Sequence, residues 1–163
     1  MKVVHINEHF PVFGGTEKNL LDICTYLKEN GHEVIVISSR SRAYSTIINI
    51  KNYQIEPSYG IRSACRVFKE FKKILHSEKP DIIHIHNTQN FVSPIVLKYI
   101  VKHWPTVKTV HDTRLFCPAY CNWKVLKTSM LCPYPIGISC FIQKCYPFIA
   151  DFDLIKDVCR GKT

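Results

Sequence analysis

Short apolar runs and helical stripes alternate along the first two thirds of the chain. KVVHI, residues 2–6, reads as a strand. From Thr16 to Asn30, the residues Leu20, Leu21, Ile23, Cys24 and Leu27 recur at helical spacing, and Gly31 supplies the stop. EVIVIS, 33–38, is rich in β-branched residues and predicts a second strand. A short third strand is expected around Tyr53–Glu56, closed by Pro57. Arg62 to His76 predicts a helix with Val67, Phe68, Phe71, Ile74 and Leu75 on one side. DIIHIH, 81–86, predicts a strand, residues 91–103 a helix, and TVKTVHD, 106–112, a last strand.

Strands alternating with single helices imply βαβ units and a parallel sheet. Right-handed crossovers place helices on both faces. The expected fold is therefore α/β, a doubly wound Rossmann-like parallel sheet with strand order 3-2-1-4-5. Its core is expected over residues 1–112. Residues 113–163 carry prolines, aromatics and cysteines with little periodicity, and read as a Cys-rich, loop-rich C-terminal appendage of the same domain.

In an open parallel sheet, ligands bind outside the carboxyl ends of the strands. Three features of the sequence converge there. Gly14 and Gly15 follow the first strand, His86 and Asn87 end the strand of 81–86, and His111 and Asp112 end the strand of 106–112. Glycine lacks a Cβ, so backbone N–H groups can come close to a ligand. Thr16 and Glu17 open the next helix, whose N-terminus suits a phosphate. The pair lacks the G-x-G-x-x-G spacing and the P-loop lysine, so a dinucleotide fingerprint and a Walker motif are excluded. A tight turn with no ligand is the plain alternative.

Composition narrows the classes. With 46% apolar residues the chain can bury a core, and a net charge of +9 favours anionic partners. No apolar run reaches bilayer length, and MKVVHINEHF lacks the marks of a signal peptide, so a cytoplasmic location is expected. Eight cysteines are many for such a chain, and six lie between Cys117 and Cys159. Cys117 with Cys121, and Cys140 with Cys145, form two loose pairs. A structural metal, disulfides and free thiols all remain open for them, while a catalytic cysteine is not expected.

His84 and His86 share one face of their strand, but no third ligand has obvious spacing, so a packed or cleft-lining pair is expected and no metal. Arg40 to Lys79 holds nine Lys or Arg against three Glu. Its basic amphipathic helix allows peripheral contact with an anionic membrane, or is an ordinary sheet-packing helix with a solvated face. No nucleic-acid reader motif accompanies the charge.

The order strand, FGGTE, helix, NGHEVIVIS, KPDIIHIHN and KTVHD resembles the N-terminal, acceptor-side domain of family 4 glycosyltransferases, which have the GT-B fold. HDTRLFCP with its later cysteines is similar to many members, and the resemblance covers about residues 1–145. It implies that Gly14 and Gly15 face the donor's phosphates and that Glu17 is the acidic residue after the glycine loop. It also implies that His111 lies in the cleft near the transferred sugar, as the residue expected to carry catalysis. His86 would shape the acceptor pocket, with Thr16 and Asp112 beside it.

The implied reaction transfers a sugar, with retention, from a nucleotide-sugar co-substrate to a glycan or lipid-linked acceptor. No metal or other cofactor is implied. The family's second domain carries the donor site and two glutamates seven residues apart. Here only Glu70 and Glu78 have that spacing, across an expected helix end, and the sequence stops at Thr163. A separate donor-binding domain or subunit is therefore expected, without which this chain should not turn over. The rival expectation is a non-catalytic remnant or binding module for an anionic glycan or lipid surface. A third is a metal-dependent protein built on the C-terminal cysteines.

Overall fold

Five parallel strands run in the order β3-β2-β1-β4-β5. They are β1 (Lys2–Asn7), β2 (Glu33–Ser39), β3 (Lys51–Ile55), β4 (Ile82–Ile85) and β5 (Thr106–Lys108), joined by α1 (Gly15–Glu29), α2 (Ile61–Glu78) and α3 (Pro94–His103). The computed structural model describes residues 1–11, 14–39, 49–56, 61–88 and 91–111, with the side chains of 61–63 excepted. These residues belong to the unit Met1–His111. Asp112 and the cysteine-rich segment, with Cys117, Cys121, Cys140 and Cys145, lie outside the described residues.

The strands alternate their side chains between two faces, and each face is sealed by its own helices. Val4 and Ile6 of β1, Ile35 and Ile37 of β2, and Ile83 and Ile85 of β4 pack on one side with Val67, Phe71 and Leu75 of α2 and Val96 and Ile100 of α3. On the other side Val34 and Val36 meet Leu20 and Cys24 of α1, with Phe10. The doubly wound arrangement and the expected 3-2-1-4-5 order are both found.

Several boundaries differ, and three of them change the reading. Helix α2 continues to Glu78, so Glu70 and Glu78 lie on one helix and do not straddle its end. Glu78 is held there by partners from the sheet, namely Lys51, Tyr53 and Lys2. Helix α3 starts only at Pro94, because Ser93 caps it by accepting from the Val96 N–H and proline suits the first turn. Strand β5 ends at Lys108, leaving His111 on the connection beyond it.

The apolar stripe of α2 is spent inside the sheet core. What the helix turns outward is basic: Arg66, Lys69, Lys72 and Lys73 are exposed. Among the described residues no helix is long and apolar enough to cross a membrane.

Candidate functional site

Sequence order fixes where the polar groups collect. In a parallel sheet every β-strand leads into its helix at the same end, so the turns after β1, β4 and β5 share one edge. At that edge β1 ends in Asn7, fully buried. Its Nδ2 donates to Glu17 Oε1 at 3.0 Å and to the His9 carbonyl at 2.7 Å. Its Oδ1 accepts from the Asn87 N–H at 3.0 Å. The Asn87 carbonyl in turn accepts from the Glu8 N–H at 2.7 Å. The amide group of Asn7 therefore ties the end of β1 to the end of β4 and to the first turn of α1.

Gly14 and Gly15 are exposed at the mouth of α1. Gly14 is the N-cap, and no side chain caps this helix end. Its backbone is extended, so glycine is not demanded there by φ. What glycine supplies at 14 is room, since a Cβ would stand 3.3 Å from Glu17 Oε2. A Cβ on Gly15 would meet nothing within 4 Å, so the fold itself places no steric demand on that glycine. Unpaired N–H groups and the positive end of the helix dipole face out beside them, an anion-binding arrangement.

Glu17 does not line the surface. It is buried under the loop, with its carboxylate on Asn7. Thr16 is half-buried, and its Oγ1 accepts from Asn87 Nδ2 at 3.4 Å.

Next to Asn87 the histidines form a line. His86 is fully buried and uses both ring nitrogens: Nε2 lies 3.2 Å from His5 Nδ1, and Nδ1 lies 3.0 Å from His111 Nε2. The His86 and His111 rings stack with centroids 5.3 Å apart. His84 pairs its Nε2 with Thr109 Oγ1 at 2.7 Å. Lys108 Nζ donates to the His86 carbonyl at 2.9 Å, which anchors the connection that carries His111.

Burial pushes the His5 imidazole down to about 3, with the nearby His84 adding to it. Burial also pushes His86 to about 3, helped by the crowd of His84, His5, His111 and Lys108. His84 is lowered for the same first reason and by His111. His5, His84 and His86 are therefore neutral at physiological pH, with one proton on each of these three rings.

Of the residues singled out in the sequence, Gly14, Gly15, Thr16, Glu17, His86 and His111 come to this one edge. Three that matter were not singled out: His5, Asn7 and Thr109. The signal for His5 was present. It alternates with Val4 and Ile6, and a parallel β1–β4 pairing puts it opposite His84.

A profile described as Glycosyltransferase Family 4 matches residues 13–130, more than half of the chain. No curated protein sequence matches. Among solved structures, sucrose-phosphate synthase from Thermosynechococcus elongatus aligns at TM-score 0.52 and 12% identity, over 79% of this chain and 35% of that one. A UDP-GlcNAc 2-epimerase from Methanocaldococcus jannaschii aligns at TM-score 0.48 and 19% identity, over 67% and 31%. The chain thus spans about a third of the length of the synthase. The likeness to the synthase shows the fold, a Rossmann-like half of the GT-B type.

Proposed function

Because the chain belongs to glycosyltransferase family 4, we propose that the described unit is the acceptor-side half of a retaining sugar transferase. The observation that carries this is the unbroken run of contacts from the glycine loop to His111. Thr16 bonds Asn87, Asn87 bonds Asn7, and the neighbouring His86 bonds His111. The loop that suits a phosphate and the histidine assigned to the sugar are thereby held at one edge of one sheet.

The chemistry follows from those parts. The anomeric carbon–oxygen bond to the nucleotide diphosphate breaks, and an acceptor hydroxyl bonds to that carbon on the same face. The hydroxyl proton passes to the departing phosphate. The N–H groups at Gly14, Gly15 and the start of α1 meet the negative charge that grows on that phosphate. Asn7 and buried Glu17 keep the loop in place. His111, half-buried and pinned by His86, keeps one side of its ring for the donor sugar. His86 shapes the floor toward the acceptor, and Asp112 follows His111 in the chain. The donor's nucleotide is bound by a second domain or subunit, and the acceptor is a glycan or lipid-linked saccharide of polysaccharide or glycolipid assembly in the cytoplasm. No resident cofactor enters these steps.

The test is complementation. Combined with a family 4 donor-side domain and a panel of nucleotide sugars, the chain should give product of retained anomeric configuration. His111→Ala should lower kcat by roughly 100-fold, with a smaller change in acceptor KM. Full turnover by the variant, or an inverted product, removes the assignment.

A second reading draws on the outward face of α2. Arg66, Lys69, Lys72 and Lys73 offer an electrostatic patch for an anionic lipid or glycan surface. Since the apolar stripe of α2 is buried in the core, such contact would be peripheral and salt-sensitive rather than inserted. Salt-independent binding to acidic vesicles would count against it.

A further inference from the structure

The sugar chemistry gives no work to His5 or His84. Yet β1 and β4 place three imidazoles together on one sheet face. His5 and His86 are fully buried, His84 is half-buried, and one nitrogen of each lies within 4.8 Å of the others. His5 Nε2 is buried with no hydrogen-bond partner among the described residues. Natural cores rarely bury such atoms, so packing alone does not account for the cluster.

We propose that His5, His84 and His86 bind a divalent first-row transition-metal ion, zinc or a close neighbour, behind the cleft. Bonds of about 2.0–2.1 Å to a tetrahedral ion hold ligand nitrogens about 3.3 Å apart. His5 Nδ1 and His86 Nε2 stand 3.2 Å apart. All three ligand nitrogens lie within 4.8 Å of one another, and His84, the least buried of the three rings, is the one that must move inward to bind the ion.

His84 and His86 have the outer partners that a ligating histidine needs, whereas His5, ligating through Nδ1, has none at Nε2 among the described residues. His84 Nε2 is engaged by Thr109, which leaves Nδ1 for the ion. His86 Nδ1 is engaged by His111, which leaves Nε2. The grouped ligands are all imidazoles with no carboxylate among them, so the donor set suits zinc, cobalt, nickel or copper and not magnesium or calcium. One consequence reaches the cleft. With its Nε2 lone pair on the ion, His86 keeps its proton on Nδ1 and donates it to His111 Nε2. A bound ion thereby fixes which nitrogen of His111 carries a proton toward the sugar.

The experiment is a titration of the metal-free full-length chain with Co(II), followed by visible absorption. We expect one equivalent bound with ligand-field bands of nitrogen coordination. His5→Asn and His84→Asn should each weaken binding at least tenfold, whereas His103→Asn, on the exposed end of α3, should not. Ring resonances of His5, His84 and His86 in the unsubstituted chain should broaden first, so the outcome does not depend on the variants folding. No bound cobalt overturns the proposal. So does cobalt whose only signature is thiolate charge transfer, unchanged in the histidine variants, because that ion sits on cysteines.

Discussion

At the amino ends of the strands Glu78 gathers Lys51, Lys2 and Tyr53, while at the carboxyl ends His86 gathers His5 and His111. Both are clusters of polar groups packed at the edge of one sheet. They differ in charge. At the amino end Lys51 Nζ lies 2.6 Å from Glu78 Oε1, and Lys2 Nζ lies 3.0 Å from Glu33 and 3.4 Å from Glu78. The Lys2 N–H also donates to Asp81 at 2.6 Å. These ion pairs meet charge with opposite charge and close the fold. At the carboxyl end the line is built of imidazoles and amides, with the Glu17 carboxylate on Asn7 and the Lys108 ammonium on the His86 carbonyl, beside a helix mouth without a side-chain cap and two exposed glycines. Ion pairs satisfy each other, whereas the open helix end at Gly14 and Gly15 has no side-chain cap and is exposed to a ligand. The contrast supports the proposal that the carboxyl end is the working end.

Substitution at the ends should separate these roles, and Asn7 should show the largest effect. Asn7→Ala removes the group that bonds Glu17, His9 and Asn87 at once. Leaving those partners unsatisfied should cost about 2–3 kcal/mol in urea unfolding and should also disorganise the glycine loop. A loss of activity with full stability would mean that the amide network is not what holds the working end together.

Glu78→Gln should cost about 1–2 kcal/mol, reduced by the solvent around its lysine partners, and should leave transfer unchanged. Its effect depends on pH. Hydrogen bonds from Lys51 and Tyr53 hold the Glu78 carboxyl below its ordinary value of 4.5. A folded-state value below the unfolded one means that the unfolded chain binds the extra proton as pH falls. The contribution is therefore present above about pH 4.5 and is lost as pH falls through the lower, folded value. The variant should show a flatter acid limb. An unchanged acid limb would remove Glu78 from the account of the amino end.

Most strands could be read from the chain because β-branched runs and helical stripes alternate, whereas their order came from the doubly wound fold and not from periodicity, and no helix separates β2 from β3 among the described residues. The glycine loop, His86 and His111 could be placed at one edge because topology alone puts strand ends together. The third histidine could not be placed by spacing within one strand. His5 stands 79 residues before His84, and only the register of β1 against β4 makes them neighbours. Asn7 was hidden for a related reason: the bond that ties it to the end of β4 comes from Asn87, 80 residues further on. The buried setting of Glu17 was also not legible, since an acidic residue in a first helical turn is usually solvated.

The smallest stability change should come from Gly15→Ala, and it is the sharpest probe of the working end. Gly15 opens α1, and a Cβ there meets no atom of the chain within 4 Å. Alanine in a helical position with free space should leave stability unchanged or raise it by about 0.4–1 kcal/mol. Transfer in the complemented enzyme should nevertheless fall roughly tenfold, because the methyl group stands where a pyrophosphate must approach the backbone. Gly14→Ala should differ: its Cβ presses on buried Glu17 at 3.3 Å, so it should lower both stability and transfer. If Gly15→Ala kept full activity, the loop would be a turn and nothing more. The phosphate contact would then have to come from the first turn of α1 alone.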